Sequence, residues 1–305
     1  MFERISPATG SRPSWRSRLA ELAFDARRRI GRLRLHETRA GRFVVPLLDG
    51  GPPSDEAPVV LVHGFSDTKD SFVDVARLLT GSRRVILPDL PGFSDASQPV
   101  DHHYDLPGIS EVLYEALRAY GLGPVHLVGN SLGGAVVAHL ALEHPQWVRS
   151  LCLVGSAGVA MPIPSALQRH IEAGYNPFVI RSADEYGPFV RMVVERMPPG
   201  ATLVQSLMAE RFFARRAMNQ KILDELLEGD FDLTERLPEL DVPTMILWGD
   251  RDRLVDLSAG RVFHRGIRDS RLVVMHGIGH CPQVESPRGT ARRIVENIAR
   301  AEERA

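Results

Sequence analysis

One serine set among glycines is the clearest chemical signal in this chain. Gly129-Asn130-Ser131-Leu132-Gly133 fits the pattern G-x-S-x-G. Val125, His126, Leu127 and Val128 before it read as a short buried strand, and an apolar stretch, 134–142, follows. Strand, sharp turn and helix in that order form a nucleophile elbow, which lifts a serine hydroxyl clear of a sheet. Side chains at 129 and 133 would collide with the neighbouring strand or helix as the turn tightens, so glycine stands at both. A serine hydroxyl is a poor nucleophile until a base takes its proton, and the suitable base is a histidine held by an acid. Two later loops offer both. In WGDRD, Asp250 and Asp252 follow the run 243–248; in GIGH, His280 follows 271–277. A tetrahedral intermediate on Ser131 also needs two N–H donors for its oxyanion. Leu132, next after the serine, offers one. The turn His63-Gly64-Phe65, after the run 57–62, offers the Phe65 N–H as the other.

These residues meet only if a scaffold brings their loops together. Residues 33–50 read as two strands, LRLHETRAG and RFVVPLLDG, closed by a turn at Gly50-Gly51-Pro52-Pro53. Strand 57–62, helix 69–79, strand 83–90, helix 109–120, the elbow strand and helix, and strand 148–155 follow. Continuous apolar runs of this kind suit strands covered on both faces. The alternation predicts an α/β fold, a mostly parallel eight-stranded sheet with helices on both faces. Strand ends in such a sheet open on a common crevice, where Ser131, one of the two aspartates and His280 are expected to meet. From 157 to 240 the alternation stops. Pro162, Pro164, Pro177, Pro188, Pro198 and Pro199 break a helical pattern rich in Met, Phe and Arg into short pieces, read as an inserted cap. Strand 243–248, helix 258–263, strand 271–277 and helix 287–301 complete the count. The expected division is an N-terminal extension over 1–32, a core over 33–156 and 241–305, and a helical cap over 157–240.

Composition narrows the class. The 305 residues are 44% hydrophobic and 25% charged, with a net charge of −1, which gives no support to a nucleic-acid-binding surface. Two cysteines, Cys152 and Cys281, make neither a disulfide framework nor a thiolate metal site. His102, His103 and His170 have no metal-like spacing, so neither metal nor cofactor is expected. No apolar run is long enough to span a membrane, and the start lacks a secretory apolar core. A cytoplasmic protein is therefore expected. A helix from Ser14 carries Trp15, Leu19, Leu22, Ala26, Ile30 and Leu33 at helical spacing, with Arg16, Arg18, Arg27, Arg28, Arg29 and Arg32 opposite. It is read as packed on the body with a solvated basic face; peripheral contact with an anionic membrane is the alternative. His63 is expected to hold its turn rather than act as a second base, and Cys281 to be simply a small residue. Met192, Met197, Phe212 and Phe213 either line an acyl pocket or pack the cap. Glu285 and Ser286 are expected to cap the last helix.

The motifs HGFS, DLPGF, GNSLGG, WGDRD and GIGH, in that order and spacing, resemble the α/β-hydrolase family from about residue 40 to 300. The order Ser, Asp, His is that family's. Its acid pattern G-x-x-D selects Asp252 over Asp250. HGFSDTKDSF, SLCLVGSAGV and WGDRDRLVDLSA are similar to monoacylglycerol-lipase-like and carboxylesterase members. The resemblance implies ester hydrolysis through an acyl-enzyme, on a small-molecule ester or lipid, with the cap forming an acyl-chain pocket. Serine at 131 argues against the dehalogenases and epoxide hydrolases of this fold, which use aspartate. The carbon–carbon hydrolases of aromatic breakdown share GNS-x-GG. They carry a glycine-rich H-G-x-G turn and a Trp after the histidine, where this chain has HGFS and Cys281-Pro282. A ligand-binding protein that keeps the triad but hardly turns over is the remaining alternative.

Overall fold

The alternation of apolar runs in the sequence becomes an eight-stranded sheet. The computed structural model describes residues 15–197 and 201–304. Helix α1 (Trp15–Ile30) leads into a hairpin of β1 (Leu33–Ala40) and β2 (Phe43–Gly50), then β3 (Val59–Val62), α2 (Val73–Leu79), β4 (Val85–Pro88), α3 (Leu106–Ala119), β5 (Val125–Asn130), α4 (Leu132–Glu143) and β6 (Val148–Val154). Four helices follow: α5 (Ala166–Glu172), α6 (Tyr186–Val193), α7 (Ala201–Ala214) and α8 (Arg216–Glu228). The chain then rejoins the sheet through β7 (Thr244–Gly249), α9 (Leu257–Gly266), β8 (Ser270–Met275), α10 (Pro282–Glu285) and α11 (Pro287–Glu302).

The strand order is β1-β2-β4-β3-β5-β6-β7-β8. The β1–β2 and β2–β4 pairs are antiparallel; β4, β3, β5, β6, β7 and β8 are parallel. Every residue of β3, β4, β5 and β7 is buried; β3 and β4 read as unbroken apolar runs, while β5 and β7 also bury His126, Asn130 and Thr244. Because six strands point the same way, the loops after β3, β5, β7 and β8 open on one rim. These loops carry Phe65, Ser131, Asp252 and His280.

Helix 69–79 of the sequence reading starts differently. Lys69–Phe72 is a 3₁₀ turn, and Thr68 caps it by accepting the Asp70 N–H. Lys69 points inward, with Nζ 2.6 Å from Asp89 Oδ2 and 2.9 Å from Asp95 Oδ2. Burial opposes its charge, but the surrounding carboxylates outweigh it and hold the ammonium above its ordinary pKa.

Helix α1 packs on the body, as expected, but through the other face. Ala20 and Phe24 are buried beside Leu207 and Met208 of α7. Arg27 donates to Asp74 (2.9 Å), and Arg28 grips both oxygens of Asp70 (2.6 and 2.5 Å). Two charged side chains that read as solvated are thus turned inward. Leu19, Leu22 and Ile30 of the apolar stripe are left exposed at 42, 65 and 62%. Ala26 is exposed with them, and Leu33 belongs to β1. Among the described residues no helix is long and apolar enough to cross a membrane.

Candidate active site

The elbow follows from a close approach between β5, α4 and the turn after β3. A Cβ at Gly129 would lie 2.2 Å from Gly133 O, and one at Gly133 would lie 2.3 Å from His63 O. Ser131 sits between them at φ 55 and ψ −121. This conformation is costly for a residue with a side chain and persists only where surroundings enforce it. Backbone bonds to the C-terminal end of β6 and the loop after it enforce it here: Ser131 N–H donates to Val154 O and Ala157 N–H donates to Ser131 O, each at 3.0 Å. Leu132 opens α4, so its N–H belongs to the first turn, where helices have no internal acceptor.

The turn that carries Phe65 lies against the serine. A Cβ on Gly64 would be 3.0 Å from Ser131 Cβ. His63, fully buried, fixes this turn: its Nε2 accepts the Leu90 N–H at 2.9 Å and its Nδ1 lies 2.8 Å from Gly64 O. That is the structural role read from the sequence. The Phe65 ring stacks edge-on with Phe93 and Phe178.

Asp252 and His280 form a buried pair. Asp252 Oδ2 is 2.8 Å from His280 Nδ1, with the side chains 1% and 3% exposed. The other carboxylate oxygen accepts the N–H groups of Leu254 and Val255, each at 2.9 Å. The acid is therefore fixed by its own loop before it meets the histidine. Both side chains rest against Gly155: a Cβ there would lie 3.1 Å from Asp252 Oδ2 and 3.2 Å from His280 Nδ1. His280 Nε2 is buried and makes no hydrogen bond, to Ser131 or to any other described residue. Asp250, the rejected aspartate, is on the surface and bonds His276 and the Gly277 N–H.

Several residues of the site escaped the sequence reading. Asn130 links the elbow to the histidine loop: its Nδ2 donates to Val154 O (2.9 Å) and His280 O (3.1 Å), and its Oδ1 accepts from Gln283 (3.0 Å). An amide beside the serine was its only signal. Glu285 does not cap α11. It accepts the N–H groups of Gly279, Glu195 and Arg196, and Ser286 makes no side-chain cap bond either. Burial raises the Glu285 carboxyl above its ordinary range, only partly offset by these donors. Cys281 is buried, which pushes its thiol well up and leaves it unreactive.

Of the four apolar residues assigned to a pocket or to packing, Phe212 is buried against Phe189 and Tyr186, and Phe213 packs on the same cluster. Met192 packs on the main core and Met197 is 43% exposed. Among the described residues no group of three or more His, Cys, Asp or Glu is placed to hold a metal ion.

The chain and its fold have known counterparts. A family model for the alpha/beta hydrolase fold matches residues 57–176. The chain is 31% identical over 237 residues to Lipase 1 of Psychrobacter immobilis, covering 77% of this chain and 74% of that protein. It is 26% identical over 299 residues to monoacylglycerol lipase abhd6-B of Xenopus laevis, covering 93% and 88%. The solved structure of a membrane phospholipase A, described as a bacterial virulence factor, matches with a TM-score of 0.90 and 33% identity over 94% of this chain and 92% of that one. The chain belongs to the α/β-hydrolase family. Within it, the chain is a hydrolase of the lipase and esterase type.

Proposed function

We propose that this ester hydrolase works through Ser131 as nucleophile, His280 as base and Asp252 as the partner of the histidine. His280 takes the Ser131 proton as the hydroxyl oxygen attacks the ester carbonyl. The Phe65 and Leu132 N–H groups stabilise the oxyanion of the tetrahedral intermediate. His280 returns the proton to the departing alcohol, leaving an acyl-enzyme. Water, deprotonated by the same histidine, then releases the acid and restores Ser131. Asp252 keeps the imidazole oriented and stabilises its charged form. The observation that carries this reading is a serine held at φ 55 at the sheet rim that also bears a buried Asp–His pair.

The substrate in this reading is a small to medium-chain apolar acyl ester, monoacylglycerols included, with residues 157–240 acting as a lid over it. Support comes from a line of rings running from Phe65 through Phe178 to Phe189 and Phe212. The test is the hydrolysis rate across p-nitrophenyl esters from acetate to palmitate and across 1-monoacylglycerols. A chain-length optimum is expected, with kcat reduced by about 10⁴-fold or more in Ser131→Ala. A profile at background throughout would move the assignment to the carbon–carbon hydrolase, or to a ligand-binding protein.

A second reading concerns location: a cytoplasmic protein in peripheral contact with an anionic membrane through α1. Its support is the outward stripe of Leu19, Leu22 and Ile30 beside exposed Arg29 and Arg32. Leu22→Ser/Ile30→Ser is expected to weaken binding to anionic liposomes while leaving the hydrolysis of soluble esters unchanged. Equal liposome binding by the variant would remove this reading.

A further inference from the structure

Glu285 holds two parts of the molecule at once. Its Oε1 accepts the Gly279 N–H at 2.9 Å, inside the loop that carries His280. Its Oε2 accepts the N–H groups of Glu195 and Arg196, each at 3.0 Å, in the segment that follows α6. A backbone bond joins the same two pieces, His280 N–H to Val193 O at 2.9 Å. Their contact is so close that a Cβ on Gly279 would lie 2.8 Å from Glu195 N and 2.9 Å from both Val193 O and Glu285 Oε1. Glu195 is tied in turn to Arg253, the neighbour of Asp252, at 2.6 Å.

We propose that Glu285 is a positioning residue for the reaction: by gripping the GIGH loop with one oxygen and the segment after α6 with the other, it sets His280 for proton transfer. The proposal rests on the reading of His280 as the base. The physical case is one of donors and acceptors. Three N–H groups converge on one carboxylate, and each would lose its acceptor if that carboxylate left. A glutamine has the same shape, but its NH₂ must face an N–H donor on one side, so one of the two grips fails. The His280 backbone then gains freedom while Asp252 stays fixed by Leu254 and Val255. A base displaced by a fraction of an ångström transfers protons poorly.

The test uses the full chain and a soluble p-nitrophenyl ester. Turnover is expressed per active site titrated with a fluorophosphonate, so unfolded protein does not count. Glu285→Gln is expected to lower kcat by about 10- to 100-fold, with KM changed by less than about threefold. The rate constant for fluorophosphonate labelling should fall alongside kcat. Wild-type kcat per titrated site in Glu285→Gln, whatever its melting temperature, overturns the proposal. Should Glu285→Gln fail to fold, Glu285→Asp keeps the charge but is shorter by about 1.5 Å and reaches one grip only. It is expected to give an intermediate kcat, and a wild-type value in that variant also overturns the proposal. His280→Ala separates the two claims. Ester turnover that survives in His280→Ala removes the base assignment itself, whereas turnover lost there but intact in Glu285→Gln removes only the role of Glu285.

Discussion

Two aspartate–histidine pairs bridge the same two loops. Asp250 Oδ2 lies 3.0 Å from His276 Nδ1 and Asp252 Oδ2 lies 2.8 Å from His280 Nδ1. The chemistry and the distances nearly match, but the surroundings do not. In the first pair the side chains are 27% and 87% exposed; in the second they are 1% and 3% exposed. What burial there is would raise the Asp250 carboxyl, but His276 and the Gly277 N–H pull it below its usual range. Water screens such a pair, and it contributes little. The inner pair has no water to fall back on. Its second carboxylate oxygen is satisfied by two backbone N–H groups, and its far imidazole nitrogen is buried and makes no hydrogen bond. Under the proposed mechanism, the comparison teaches that what excludes water around an Asp–His contact, more than the contact itself, is what fits it for proton transfer.

The largest expected effect breaks the two pairs in parallel. Asp252→Asn should lower kcat by about 10³- to 10⁴-fold, because the amide donates toward Nδ1 and disfavours the tautomer that leaves Nε2 free to act as a base. Asp250→Asn should change kcat by less than about twofold, since an exposed pair adds little. Steady-state rates on one soluble ester check both. Comparable losses in the two variants would mean that burial is not what separates the pairs.

The same contrast shows where the sequence was legible. The sheet was readable because strands buried on both faces are dominated by apolar residues, wholly so in β3 and β4 and mostly so in β5 and β7. The elbow was readable because only glycine fits the approaches at 129 and 133. Asp250 and Asp252 were not separable by spacing, since they occupy one loop two residues apart. The family pattern selects Asp252, and in the structure the two differ in burial. The inward face of α1 was misread for a related reason. Periodicity assumes that an apolar stripe seeks the core, whereas Asp70 and Asp74 draw Arg28 and Arg27 inward and roll the stripe to the outside. Glu285 was misread because two of its partners lie about 90 residues earlier, beyond any local pattern.

A third histidine sharpens the comparison from the other side, because it is buried without any carboxylate. His126 on β5 is 2% exposed, and its Nδ1 lies 2.9 Å from Ser150 Oγ. Burial, helped by Arg83 and Arg149, lowers its pKa from 6.5 to about 4. The folded chain thus keeps this ring neutral where the unfolded chain would protonate it. The sign follows directly. The stability tied to the neutral ring is fully present above pH 6.5, is lost as the pH falls towards about 4, and changes no further below that. The whole loss is on the order of 3 kcal/mol. His126→Gln removes the titration, so the difference in urea unfolding free energy between wild type and variant should shift by about 2 kcal/mol in the variant's favour between pH of about 7.5 and 5. A difference that stays constant with pH would mean the β5 histidine is reached by solvent or finds an acceptor for its second proton. In that case burial alone would not distinguish a silent histidine from a working one.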